Sequence, residues 1–153
     1  MSIATLTPVL EIGAGSALTN SAPTLIWVGF PLHPDGIDCE YRTAEHAYQA
    51  HKAATITDHN LVAAAPSALL ARQRGNRIGL RPGWETGRYE AMLTTLRAKF
   101  AQHPHARETL LATGVVDLHV MEAGEWGAID GQNLLGRALM RVRAELTTHT
   151  PST

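Results

Sequence analysis

Tyr41-Arg42-Thr43-Ala44-Glu45-His46-Ala47-Tyr48-Gln49-Ala50-His51-Lys52 gathers functional groups where packing does not require them. Thr43 is placed as an N-cap, its hydroxyl accepting a free backbone N–H of a first helical turn. Ala44 to Ala54 contains neither Pro nor Gly and is rich in alanine, so a helix over 44–54 is predicted. On that helix Glu45, Tyr48, Gln49 and Lys52 fall on one side at i, i+3, i+4 and i+7, while Ala47, Ala50 and Ala54 form a small-residue seam. Such a stripe is either a solvated face or a binding surface. Glu45 makes the second reading worth pursuing, because the first turn is where a helix dipole favours a carboxylate that can serve as acid or base.

Working outward, Thr24 to Phe30 is rich in β-branched and aromatic residues and reads as a strand, with Trp27 expected in the core. His33-Pro34-Asp35-Gly36 is a turn and Ile37 to Arg42 the return strand, so a hairpin delivers the chain into the Glu45 helix. Residues 1–14 read as a loose arm or an edge strand. Downstream, Thr57 is expected to cap a short helix through Ala64, and Pro66 to open another ending at Gly75. Asn76 to Trp84 is a loop. From Glu85 a longer helix follows, with Tyr89, Met92, Leu93, Leu96 and Phe100 in register. Pro104 opens the next, with Leu110 and Leu111 inward and Gly114 as its stop. Val115 to Met121 is β-prone, Gly124 to Gly136 loop-rich, and a last helix lines up Leu135, Leu139, Val142 and Leu146 before a polar tail from Thr147. The sum is an α+β fold, predominantly α-helical: five or six helices with a small antiparallel β element. It forms a single domain over 14–147, with 1–13 and 148–153 as flexible ends.

Composition narrows the classes. A chain of 153 residues with 44% apolar and 18% charged residues is globular, and a net charge of −1 excludes a basic nucleic-acid coat. Arg72, Arg74, Arg77, Arg81 and Arg88 lie in one window while the chain has only two lysines. Such a window either holds planar anions such as phosphate or is a salt-bridged surface. A single cysteine, Cys39, fits a reducing compartment. With no signal peptide and no membrane-length apolar run, a soluble cytoplasmic protein is expected. The eight histidines show no HExxH or CxxC pairing, so no metal site is expected, and neither a GxSxG elbow nor a phosphate-binding GxxxxGK[ST] loop is present. Trp84 and Trp126 lie in Gly-rich polar loops, where an indole suits either a planar ring carrying a phosphate or a cap on the core.

Taken in order, Thr43 to Lys52 resembles the TxEHxYQAxK signature of the NADAR (YbiA-like) family, and Arg81-Pro82-Gly83-Trp84 its RPxW element. Leu96 to Gln102 is similar to LRxKFxQ and Leu110 to Gly114 to LLxTG. Trp126-Gly127, Gly131 to Gly136 and Leu139 to Arg143 complete the set. The resemblance covers roughly residues 18–146. It implies a YbiA-like fold and an N-glycosidase that hydrolyses a ribosyl C1′–N bond without a cofactor. Family activities act on phosphoribosylamino-pyrimidine intermediates of riboflavin synthesis, or remove ADP-ribose from guanine in DNA. The resemblance implies catalytic roles for Glu45 and Trp84; the family's second acid is either replaced here by Glu122 or missing.

Two departures stand out. The family's LSNF reads Leu18-Thr19-Asn20-Ser21 here, and the Asp expected three residues before the Trp-Gly pair is Ala123, flanked by Glu122 and Glu125. The expected pocket has the base stacked on Trp84 and Trp126-Gly127 lining it. Tyr48, Gln49, Lys52, Arg77 and Arg81 surround the substrate and its phosphate, and Asn20 and Asn133 give directional hydrogen bonds. Three functions stay open: an N-glycosidase for a phosphorylated ribosyl small molecule, an antitoxin-like hydrolase of ADP-ribosylated nucleic acid, and a non-catalytic ADP-ribose or nucleotide reader.

Overall fold

The computed structural model describes residues 8–33 and 35–149. The expectations for residues 1–7, for Pro34 in the hairpin turn and for the tail at 150–153 lie outside the described residues. In chain order the elements are β1 (Val9–Ile12), β2 (Ile26–Gly29), β3 (Asp38–Tyr41), α1 (Ala44–Ala50), α2 (Ile56–Ala63), α3 (Ala68–Gly75), α4 (Trp84–Gln102), α5 (Pro104–Ala112), β4 (Asp117–Val120) and α6 (Leu134–His149). Six helices and two small sheets among the described residues make this the helix-rich α+β fold the sequence predicts. β2 and β3 form the antiparallel hairpin, Ile26 opposite Tyr41. A second, parallel pair joins β1 to β4, Val9 opposite Asp117, and was not foreseen. It makes a strand of the residues read as a loose arm or an edge strand.

The helix starts follow side-chain caps. Thr43 accepts the His46 N–H as expected, but α2 is capped by Thr55 rather than Thr57, and α3 by Ser67 rather than opened at Pro66. α1 ends at Ala50, short of Ala54. Beyond it the backbone turns to pair with the next loop: Arg81 N–H donates to Lys52 O at 2.8 Å and Ala53 bridges to Leu80. α6 continues through His149, past the point where the tail was expected, with the Thr147 and Thr148 hydroxyls bonded to carbonyls one turn back.

Two apolar clusters meet along α1. One packs Met92, Leu93, Leu96 and Phe100 of α4 against Leu118, Leu135, Leu139 and Val142; each buried side chain of this kind contributes roughly 1.5–3 kcal/mol. The other packs Ile26, Val28 and Tyr41 of the hairpin against Ala47, Ala50 and Val62. Leu111 is only half-buried, so of the two leucines expected inward α5 buries only Leu110 fully, beside Ala106. Trp27 corrects another expectation: it is 48% exposed, because strand alternation turns its neighbours Ile26 and Val28 inward.

The LRxKFxQ element explains how α4 holds the N-terminal segment. The fully buried Lys99 donates to Thr19 O at 2.9 Å, and burial pulls its pKa down to about 8. Gln102 acts as a surrogate strand for β2. Its amide accepts from Trp27 N–H at 2.8 Å and donates to Trp27 O at 2.6 Å. Thr19 is thereby fixed next to Asn20, whose carbonyl accepts the Glu45 N–H at 2.9 Å. No helix among the described residues is long and apolar enough to cross a membrane.

Candidate active site

All seven residues of α1 are buried, so the Glu45 stripe is no solvated face. Its polar side opens instead onto a cavity of about 560 Å³ between α1, α3, the start of α4 and the loop following β4. That volume falls in the range of small-molecule sites, roughly 300–1,000 Å³.

Glu45 stands at the centre of this arrangement, 3% exposed. Its Oε1 accepts two hydrogen bonds, from Gln49 Nε2 at 2.8 Å and from Arg72 Nε at 3.0 Å. Oε2 makes no hydrogen bond among the described residues. One oxygen is held and the other is presented. The adjacent His46 has a different task, bonding Thr43 Oγ1 at 2.7 Å and Ala65 O at 2.9 Å and so tying α1 to the segment after α2.

Glu122 enters from the loop after β4, with Arg72 Nη2 3.9 Å from its Oε2. Burial raises its pKa above the ordinary carboxylate range, an effect opposed by Arg72 and reinforced by Glu45. A carboxyl so placed holds a proton more readily than an exposed one, as a donor to a leaving nitrogen requires. Ala123, standing where the family pattern has an acid, lines the same wall.

The aromatic wall consists of Tyr48, Trp84 and Trp126, with ring centres 5.3 Å apart for Tyr48–Trp84 and 5.2 Å for Tyr48–Trp126. Trp84 is 4% exposed, held between Tyr48 and the Arg81 guanidinium 5.2 Å from its ring centre. Little of its face is open for the expected stacking. The half-buried Trp126 is the more open indole.

Of the expected residues, Glu45, Trp84, Glu122, Asn20, Tyr48, Gln49, Lys52 and Trp126 converge on the cavity. Four do not. Arg77 is exposed outside the lining. Arg81 turns back to donate to His51 O at 2.7 Å and bracket Trp84. Asn133 braces β4, accepting Val120 N–H at 3.0 Å and donating to Leu118 O at 2.8 Å. Gly127 positions Glu122: a Cβ there would sit 1.8 Å from Glu122 O, so only glycine lets the loop close.

The cavity also takes in residues that the sequence did not single out, among them Arg72, Asn76, Glu85, Arg88 and Met92. Arg72 and Arg88 belong to the arginine window, and both are engaged in ion pairs within the protein. Arg72 pairs with Glu45, and Arg88 forms a two-pronged pair with Glu125, which raises the arginine's pKa and lowers that of the glutamate. Lys52 lies 5.7 Å from the Tyr48 ring centre and donates to Asn76 Oδ1 at 3.4 Å; burial, offset by Glu45, lowers its pKa. It is the lining cation with no ion-pair partner among the described residues. Asn20 Oδ1 and Gln49 Oε1 are buried acceptors with no hydrogen-bond partner among the described residues. Among the described residues no three His, Cys, Asp or Glu side chains come together to ligate a metal.

The chain is similar to known proteins in sequence and in fold. The profile of the NADAR domain matches residues 16–147. N-glycosidase YbiA of Escherichia coli strain K12 is 32% identical over 127 residues, 78% of each chain. Riboflavin biosynthesis protein PYRR, chloroplastic, of Zea mays is 32% identical over 129 residues, 72% of this chain but 20% of that protein. The NMR structure of E. coli YbiA superposes with a TM-score of 0.77 at 28% identity, covering 94% of this chain and 88% of that one.

Proposed function

This chain belongs to the NADAR domain family, and from that premise we propose that it is an N-glycosidase hydrolysing the C1′–N bond of a phosphorylated ribosyl small molecule of the phosphoribosylamino-pyrimidine type. The observation that carries this reading is the division of the Glu45 carboxylate. Gln49 and Arg72 occupy Oε1, and Oε2 is free to face a reacting centre.

In the proposed reaction the C1′–N electron pair leaves with the nitrogen, and positive charge develops on C1′ and the ring oxygen. Glu45 Oε2 stabilises that charge and takes a proton from the attacking water, whose oxygen bonds to C1′. Glu122 donates its proton to the departing nitrogen. Solvent then restores both carboxyl groups. Lys52, beside Asn76 and without an ion-pair partner among the described residues, is the group for a phosphate. Asn20 Oδ1 and Gln49 Oε1 are acceptors awaiting donors such as sugar hydroxyls or ring amino groups. Trp126 takes over the stacking role first given to Trp84.

The pairing of Arg72 and Arg88 with glutamates leaves little free positive charge around the cavity. That favours a small phosphorylated substrate over a nucleic-acid strand bound through its backbone. Glu122, facing the cavity beside Ala123, favours catalysis over a non-catalytic reader. The test is mass-spectrometric product analysis with a phosphoribosylamino-pyrimidine and with an ADP-ribosylated DNA oligonucleotide. Release of the free pyrimidine from the first is expected. Cleavage of the second alone would transfer the activity to nucleic acid, and binding of either without cleavage would make the protein a reader.

A further inference from the structure

Among the described residues, Arg72 is the one side chain that pairs with both Glu45 and Glu122. Carried on α3, it places Nε 3.0 Å from Glu45 Oε1 and Nη2 3.9 Å from Glu122 Oε2, while 44% of its side chain remains exposed. The two contacts are unequal. The first is a hydrogen bond in a nearly dry place, the second a longer charge contact at the cavity edge. We propose that Arg72 is a positioning residue that holds Glu45 with Oε2 forward and, through its looser contact, keeps Glu122 as the partner that gives up a proton. The inference rests on the glycosidase reading above.

The surroundings leave this task to Arg72. From α1, Gln49 shares the grip on Glu45 Oε1 but carries no charge, and from the turn after α1 Lys52 faces Asn76. From α4, Arg88 is engaged by Glu125 of the opposite loop, and Glu85 is the remaining acid on the lining. From α2, His59 is turned away to Tyr41 and Phe30. Arg72 is also the cation that opposes the burial effect on Glu122. A fork is needed to touch two carboxylates at once, which a lysine ammonium does not provide.

The test uses the full chain and two variants, Arg72→Gln and Arg72→Lys. Two readouts are taken: carboxyl carbon NMR titration of Glu122 without substrate, and the pH profile of turnover. In Arg72→Gln the Glu122 titration should move to higher pH, and kcat should fall about tenfold or more with a smaller change in KM. In Arg72→Lys, with charge kept and fork lost, the Glu122 titration should stay near wild type while kcat still falls. A Glu122 titration that does not move in Arg72→Gln overturns the proposal whatever the activity. So does a parallel pH profile with kcat unchanged in both variants, which would make Arg72 a packing residue only. If the wild type cleaves neither substrate, the glycosidase reading fails, and the titration still judges the contact of Arg72 with Glu122.

Discussion

Gln49 Nε2 donates to Glu45 Oε1 at 2.8 Å, one helical turn along α1, so the side chain that fixes the candidate catalytic carboxylate sits on the same rigid element. Gly75 of α3 presses on that amide: a Cβ there would lie 2.2 Å from Gln49 Oε1. Replacing Gln49 by Leu keeps approximate volume but frees Glu45 Oε1 to rotate. Steady-state kinetics of Gln49→Leu should show kcat reduced by up to about 100-fold, the scale of a misplaced reacting group, with the circular dichroism spectrum unchanged.

Lys52 carries the second prediction. Removal of a charge-assisted hydrogen bond to a phosphate costs about 1.5–3 kcal/mol. Lys52→Met should therefore raise KM for the phosphorylated substrate roughly 10–100-fold, and leave the weaker turnover of the dephosphorylated analogue nearly unchanged. Equal effects on both would place the phosphate elsewhere.

Much of this was legible in the sequence, and the residues that were not share a cause. Local signals were strong where one element decides the outcome: Thr43 as a cap, the Glu45–Tyr48–Gln49 side of α1, the hairpin, and the periodic core of α4. What failed depended on partners distant in the chain. Arg81 and Asn133 are polar residues in loops, which fits ligand binding equally well, and only the fold shows that backbone groups at His51, Leu118 and Val120 claim them. Trp27 sits in an apolar run, yet a strand with one open face turns alternate residues outward. Arg72 was visible as one of a window of arginines, but nothing local tells which of five meets a carboxylate 27 residues away in sequence. Val115 to Met121 read as β-prone, but its parallel pairing with β1, more than a hundred residues away, left no local trace.

The His51 cluster predicts a pH dependence of stability. His51 is buried near Phe30 and Tyr41, its Nε2 without a partner among the described residues, and burial pulls its pKa down to about 3, with His59 and Arg81 adding to the effect. The unfolded chain binds this proton near the ordinary value of 6.5, so stability from the neutral ring is complete above about pH 6.5 and is lost as pH falls towards 3. Between pH 7.5 and 5 the domain should lose about 2 kcal/mol from this group. Urea unfolding at the two values should show the loss, and His51→Gln should flatten it.

Gln102 supplies a purely structural prediction. Gln102→Leu breaks both hydrogen bonds to Trp27, but these lie at the surface where water replaces them. The cost should be about 1 kcal/mol by chemical denaturation, with little effect on kcat, and faster amide exchange should be confined to the β2–β3 hairpin.

Glu45 is proposed as the group at the reacting bond, and single-turnover cleavage by Glu45→Gln against wild type tests that role most directly. The variant keeps the shape and the contact with Gln49 but cannot take a proton from water or offset charge at C1′. Cleavage of the phosphoribosylamino-pyrimidine should fall by at least about 1,000-fold, with substrate binding and unfolding midpoint close to wild type. A folded variant that cleaves within tenfold of wild type would contradict the central claim and move the chemistry to another group in the cavity.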